Sequence, residues 1–406
     1  QCHRGTGPPH VLPGSSGCSE CRFCLAASAR LALGTLGLGD GDRSVHPQTC
    51  GGMVRLADME GDLHNGVIGA IHRQRELVVE DFPRGELSRL YIDLVANGLA
   101  QDILLPLLVA RGKKDGPVFG LTAAVHGNEL NGIRVIHDLM HHIDPRQLSG
   151  TVVALVVVNV PGLHRHQREF VDGTDLNHIF PGRHDGNVAS VYGHRILDRI
   201  VNRFDYLVDL HTASFGRVNS VYVRADMTHP TTATMAYLQR PQIIVHNPPS
   251  DYTLRGAAMD LGIPSITLEI GDPQKFQPSY VRSSRIGLRT VLAAAGMLAR
   301  RPVAEGPEPV LCESSRWMYT DRGGLLEVLP RPTERVSRGD RVAILRNAFG
   351  DAIREYYAPE DGIVIGKCAN PVGLTGARIL HLGAVAPGQH GFQRRAPGRP
   401  SLKAND

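Results

Sequence analysis

The sequence predicts an α/β protein, a mostly parallel mixed sheet flanked by helices, followed by a small C-terminal all-β domain. Three observations carry this. Apolar runs such as Pro117 to Ala124 and Thr151 to Asn159 alternate with segments whose apolar residues recur every three to four positions. Those runs are almost free of polar side chains, as strands covered on both faces of a sheet must be. Beyond residue 310 the helical period disappears, and short extended segments are separated by the turns Gly323-Gly324, Arg338-Gly339-Asp340 and Glu360-Asp361-Gly362.

Residues 1–52 are rich in Gly, Pro, Ser and Cys and show neither period, so they are expected to form a poorly ordered leader. Within them Cys18, Cys21 and Cys24 are spaced as metal ligands are, but three thiols fall short of a four-thiolate site. The chain opens with Gln1, and Met53 is a natural start, so the leader is expected to lie outside the fold. The α/β domain is expected over 53–300. Its first strands are Leu90 to Val95 and Ile103 to Ala110, joined by a turn at Asn97-Gly98, and Pro117 to Val125 is the next. Ile133, Ile136, Met140 and Ile143 give the following helix an inward face. Thr151 to Asn159 is a covered strand, ended by Pro161-Gly162, after which a polar loop rich in His and Arg runs to Gly182. Tyr192, Ile196, Ile200 and Phe204 mark another helix, and Tyr206 to Leu210 and Ser265 to Ile270 are strands. Pro302, Gly306, Pro307 and Pro309 suggest a linker over 301–310. An all-β domain over 311–385 and a flexible basic tail over 386–406 complete the chain.

With 42% hydrophobic and 21% charged residues among 406, the chain can bury a sizeable core. A net charge of +4 without a long Lys/Arg block argues against nucleic acid. The longest apolar runs fall well short of the roughly 20 residues that cross a bilayer, which argues against a membrane segment. Five of the seven cysteines lie in the leader, and a thiol-poor body fits a reducing, cytoplasmic setting.

The chemistry centres on His126-Gly127-Asn128-Glu129, read as a turn leading into a helix. Residues three apart on a helix share a face, so His126 and Glu129 can aim an imidazole and a carboxylate at one point, half of a zinc site. A catalytic zinc needs a third protein ligand, and His211, at the end of the strand beginning at Tyr206, is the candidate. Asp209, two residues earlier, leans to the same face and would hold an imidazole in one tautomer. Glu269 ends an apolar strand, where a carboxylate is costly to bury without a purpose, and is read as the general base. His137, His141 and His142 are expected to face solvent, because the inward face of their helix is Ile and Met.

His-Gly-Asn-Glu, then Asp175-Leu176-Asn177-x-x-Phe180-Pro181-Gly182, then Asp209-Leu210-His211, then Leu268-Glu269-Ile270-Gly271 resembles the succinylglutamate desuccinylase/aspartoacylase family of zinc-dependent deacylases. The resemblance covers roughly residues 85–300, and the later β region is similar to the small C-terminal domain of such proteins. It implies a zinc carboxypeptidase-like fold, Zn2+ on His126, Glu129 and His211, and Glu269 as base. It further implies that Arg168 polarises the scissile carbonyl and that Asn177 helps to hold a substrate carboxylate. Where the family has Arg after Asn, this chain has His178, and a neutral imidazole does not reproduce a bidentate guanidinium grip. A dicarboxylate such as N-acetylaspartate or succinylglutamate is therefore expected less than a less acidic N-acyl amino acid. Arg255, read as part of a loop beside the site, would replace the missing cation. The expected activity is thus hydrolysis of the amide of a small N-acyl amino acid-like substrate. A peptide-cleaving metallocarboxypeptidase and a non-catalytic metal- or ligand-binding relative are the alternatives, and homo-oligomerisation stays open.

Overall fold

A computed structural model describes residues 71–249, 252–302 and 306–387. The predicted leader with its cysteine cluster, and the tail from residue 388 on, lie outside the described residues. The chain runs β1 (Ile71–Gln74), β2 (Glu86–Ala96), β3 (Asp102–Arg111), β4 (Lys114–Ala123), α1 (Asn131–His142), β5 (Ser149–Leu155), α2 (Val160–His164), α3 (Val188–Arg199), β6 (Tyr206–His211), β7 (Arg217–Asn219), β8 (Val221–Ala225), α4 (Pro230–Gln239), β9 (Ile243–His246), α5 (Leu254–Asp260), β10 (Ser265–Ile270) and α6 (Pro278–Ala294). Then follow β11 (Val310–Tyr319), β12 (Gly324–Val328), β13 (Arg335–Val336), β14 (Arg341–Arg346), β15 (Ala352–Tyr357), β16 (Gly362–Cys368), β17 (Val372–Gly373) and β18 (Arg378–Val385).

One long mixed sheet has the order β1-β2-β3-β5-β4-β6-β10-β8-β9-β11-β18-β16-β13, and β15-β14-β12-β17 form a separate antiparallel sheet. At the centre of the long sheet β5, β4, β6 and β10 are mutually parallel. Side chains alternate across it as the two-residue period of a strand requires. Val208 and Leu210 of β6 pack under α1, α4 and α6, whereas Leu207 packs on the other face with α3 and α5. Ile133, Ile136 and Met140 are the buried stripe of α1, and His137, His141 and His142 are exposed. The Asn187 side chain caps α3 by accepting from the Ser190 N–H.

Four local expectations are revised. His126 and Glu129 precede α1 instead of sitting on it, because the chain first makes a separate turn. The strand expected over Thr151 to Asn159 ends at Leu155; the buried residues beyond it lead into α2, which contains Pro161 and Gly162. Proline is tolerated there because the first turn of a helix needs no N–H donor at that position. Ile200 and Phe204 lie just past α3 but remain in the core. The Leu254-Arg255-Gly256 stretch is the first turn of α5, capped by the Thr253 side chain, and not a loop.

Candidate metal centre and cavity

The carboxyl ends of three neighbouring parallel strands build the site, which is where open α/β sheets gather functional groups. The turn after β4 carries His126 and Glu129, β6 ends on His211, and β10 places Glu269 directly beside His211 in register. Ala124 leaves β4 with φ of 53°, a left-handed conformation uncommon for a residue with a side chain. The Glu129 N–H then bonds the His126 carbonyl at 3.1 Å, which closes the turn and keeps both side chains on one side. Gly127 passes so close to α2 that a Cβ there would overlap the backbone of Gly162 and Leu163.

One ligand atom from each of His126, Glu129 and His211 lies within 4.8 Å of the others, and all three residues are buried. His126 Nδ1 is 2.8 Å from Glu129 Oε1, His211 Nδ1 is 3.0 Å from Glu129 Oε2, and the two Nδ1 atoms are 3.2 Å apart. The far nitrogen of each ring faces another carboxylate: His211 Nε2 lies 2.7 Å from Asp209 and His126 Nε2 lies 3.2 Å from Asp175. With a cation on the Nδ1 side, those carboxylates would keep the ring protons on Nε2, so that two Nδ1 lone pairs and a carboxylate oxygen converge on one point. A cation satisfies all three, and two imidazoles with a carboxylate are a donor set that suits zinc.

The electrostatics agree. Burial alone would raise the Glu129 carboxyl, but His126 and His211 outweigh it and hold it well below the usual carboxylate range. Burial likewise would lower His211, yet Asp209 and then Glu129 hold it well above an ordinary histidine, so the position attracts positive charge. Asp209 is anchored in turn by the Thr122 hydroxyl, which donates to it at 2.6 Å from the adjacent strand. Glu129 also accepts from the Thr212 N–H at 2.9 Å.

The ligands open onto a cavity of about 460 Å³. Glu269 is on its wall, with Asn219 Nδ2 at 3.4 Å and Arg224 Nε at 3.7 Å. Burial raises its pKa, and Arg224 and His211 offset this only in part. Arg168 is fixed by Asp175 at 2.8 Å and reaches Glu129 Oε1 at 3.2 Å and the Ser214 hydroxyl. Neighbouring Arg165 instead donates to the Phe170 carbonyl. Asn177 lines the cavity, its side-chain oxygen accepting from the Leu254 N–H at 2.9 Å. His178 stands at the rim, 69% exposed, 3.6 Å from Asp175. Arg255 is buried on the wall and donates to Asn247 and the Pro248 carbonyl. The eight residues expected from the sequence to bind metal or substrate or to act in catalysis thus border one cavity, with Asp209 behind His211.

Sequence reasoning gave no role to Asp175, although it lies in the Asp175-Leu176-Asn177 motif; it binds both Arg168, seven residues before it, and His126, and the latter, distant partner is invisible in the chain order. It also gave none to Arg217, Arg224, Trp317 and Arg378, which line the same cavity from distant strands.

Residues 115–295 match the family described as the Succinylglutamate desuccinylase/Aspartoacylase catalytic domain. The chain is similar to the N-alpha-acetyl-L-2,4-diaminobutyric acid deacetylase of Halomonas elongata, 23% identical over 280 residues that cover 65% of this chain and 81% of that protein. In fold it is similar to the succinylglutamate desuccinylase/aspartoacylase of Rhodobacter sphaeroides, with a TM-score of 0.69 and 22% identity over 77% of this chain and 100% of the other. The product-bound ectoine utilization protein EutE (DoeB) of Ruegeria pomeroyi superimposes with a TM-score of 0.68 and 21% identity, covering 75% and 97% of the two chains.

Proposed function

The chain belongs to the succinylglutamate desuccinylase/aspartoacylase family, and from that premise we propose that it is a zinc-dependent amidohydrolase removing an acyl group from an N-acylated amino acid or a similarly small amide. The observation that carries this reading is the convergence of His126, Glu129 and His211 beside the largely buried, separate carboxylate of Glu269. A site that merely stores metal has no use for such a carboxylate.

His126, Glu129 and His211 would hold the metal, with the Asp209 and Asp175 carboxylates orienting the two imidazoles. Zinc bound by such ligands lowers the pKa of water towards about 7 and polarises a carbonyl. Glu269, with its raised proton affinity, takes a proton from the attacking water and returns it to the leaving nitrogen. Arg168, clamped through Nε by Asp175, donates to the carbonyl oxygen as negative charge develops there. Five arginines and three carboxylates line the cavity, a balance that favours an anionic substrate and offsets the loss of a guanidinium at His178.

The test is turnover by zinc-loaded protein of a panel of N-acetyl, N-succinyl and N-formyl amino acids alongside short peptides. Amide hydrolysis of the acyl amino acids that chelation abolishes and zinc restores is expected. Hydrolysis indifferent to chelation, or confined to peptides, would sink the proposal.

A further inference from the structure

Two of the cavity arginines have no carboxylate within ion-pairing distance among the described residues: Arg217 on β7 and Arg378 on β18. Both stand against the indole of Trp317, with their guanidinium carbons 5.7 and 5.3 Å from its ring centre. The indole is itself held. It stacks on His381 at 4.9 Å with 9° between the planes, and the His381 ring is 2.8 Å from the Ser315 hydroxyl. The β11–β18 pairing sets this arrangement, since it puts Trp317 opposite His381 and Tyr319 opposite Arg378.

Like charges gathered in this way repel. Burial first, and then Arg378 and Arg168, lower the pKa of Arg217, and Glu129 and Glu269 offset this only in part, so the like charges around it are not fully compensated. His381 adds none, because burial and the adjacent arginines hold it well below its ordinary pKa and leave it neutral. Guanidinium groups fixed on an aromatic face keep their N–H forks free for a planar anion, the arrangement that suits a carboxylate.

We propose that Arg217 of β7 and Arg378 of the C-terminal β region, positioned by Trp317, together form a carboxylate subsite in the cavity, and that this subsite selects substrates carrying an anionic group that reaches it. The inference rests on the deacylase reading for its biological meaning, but its physical content does not depend on turnover.

The probes are succinate and its monoamide succinamate, which differ by one charge at nearly constant shape, titrated calorimetrically into the zinc-loaded full chain. The wild type is expected to prefer succinate by roughly 10- to 100-fold, the ratio corresponding to one charged hydrogen-bonded partner. Arg378→Gln and Arg217→Gln should each shrink that ratio at least fivefold, and Trp317→Leu should shrink it too. Arg316→Gln removes a charge from the same strand as Trp317 where it pairs with Glu360, and should leave the ratio unchanged. Arg378 is exposed, so its variant reads the subsite even if Arg217→Gln disturbs folding. A succinate preference that survives both arginine substitutions, or that falls equally in Arg316→Gln, overturns the proposal. Absence of any turnover of N-acyl amino acids would instead strike the deacylase reading and leave the binding ratio to decide this one.

Discussion

Asp209 does its work through His211 alone. Its carboxylate sits between the Thr122 hydroxyl and His211 Nε2, so it fixes both the orientation of the ring and the nitrogen that carries the proton. Asp209→Asn offers an amide that can place an N–H where the acceptor was, which turns the wrong tautomer towards the metal. Zinc affinity should fall by about 10- to 100-fold, measured by competition with a chromophoric chelator, and unchanged affinity would remove Asp209 from the metal centre. Glu269 is a different case because it touches none of the three ligand atoms. Glu269→Gln should retain zinc and lose roughly 100- to 10,000-fold in kcat. The sign of the pH effect follows from its raised pKa: the base is ionised above that value and protonated below it, so kcat/KM should fall on acidification at a pH above the ordinary carboxylate range. The same acid limb in the Gln variant would assign it to another group.

At the scale of elements, the segment from Ala124 to Leu130 decides whether the ligands meet. It joins a parallel strand to α1 by a turn that needs a left-handed residue at Ala124 and a residue without Cβ at Gly127. In Gly127→Ala the new methyl has only the backbone of Gly162 and Leu163 to displace, so the turn has to move and take His126 with it. Expected are a lower Tm and substoichiometric zinc by elemental analysis; a variant with full zinc and wild-type Tm would show that α2 yields easily. His126 and Glu129 were legible in the sequence because their spacing is local, and His211 and Glu269 because each stands at or next to the carboxyl end of a short strand rich in apolar residues. A three-residue spacing does not distinguish a helix from a single closed turn, which is why α1 begins later than expected. The role of Asp175 was hidden because its partner His126 is 49 residues away. The cationic wall was hidden more deeply: Arg217, Arg224 and Arg378 look like solvent-facing charges on short strands until the pairing of β7 with β16 and of β11 with β18 is known.

For the whole molecule, the long sheet makes the C-terminal β region part of the frame around the site. β11 continues the sheet by pairing in parallel with β9, and β18 and β16 follow, while β7, a strand of the preceding region, pairs with β16. Residues from both regions therefore reach one cavity. Metal ligation by His126, Glu129 and His211 would link the turn after β4 to the end of β6 and need the folded chain to bring the three together, so its free energy would add to stability by mass action. At a thousandfold excess over Kd the gain is about 4 kcal/mol, which against an unfolding entropy of about 2.1 cal/mol/K per residue over roughly 300 residues would raise Tm by about 6 °C. Calorimetric scans of stripped and zinc-loaded protein should show that rise, and His211→Ala, which removes one ligand while β6 stays paired on both sides, should abolish most of it. If the variant keeps the full zinc-dependent shift, the stabilising ion is bound elsewhere and the convergence of the three side chains is not what holds it.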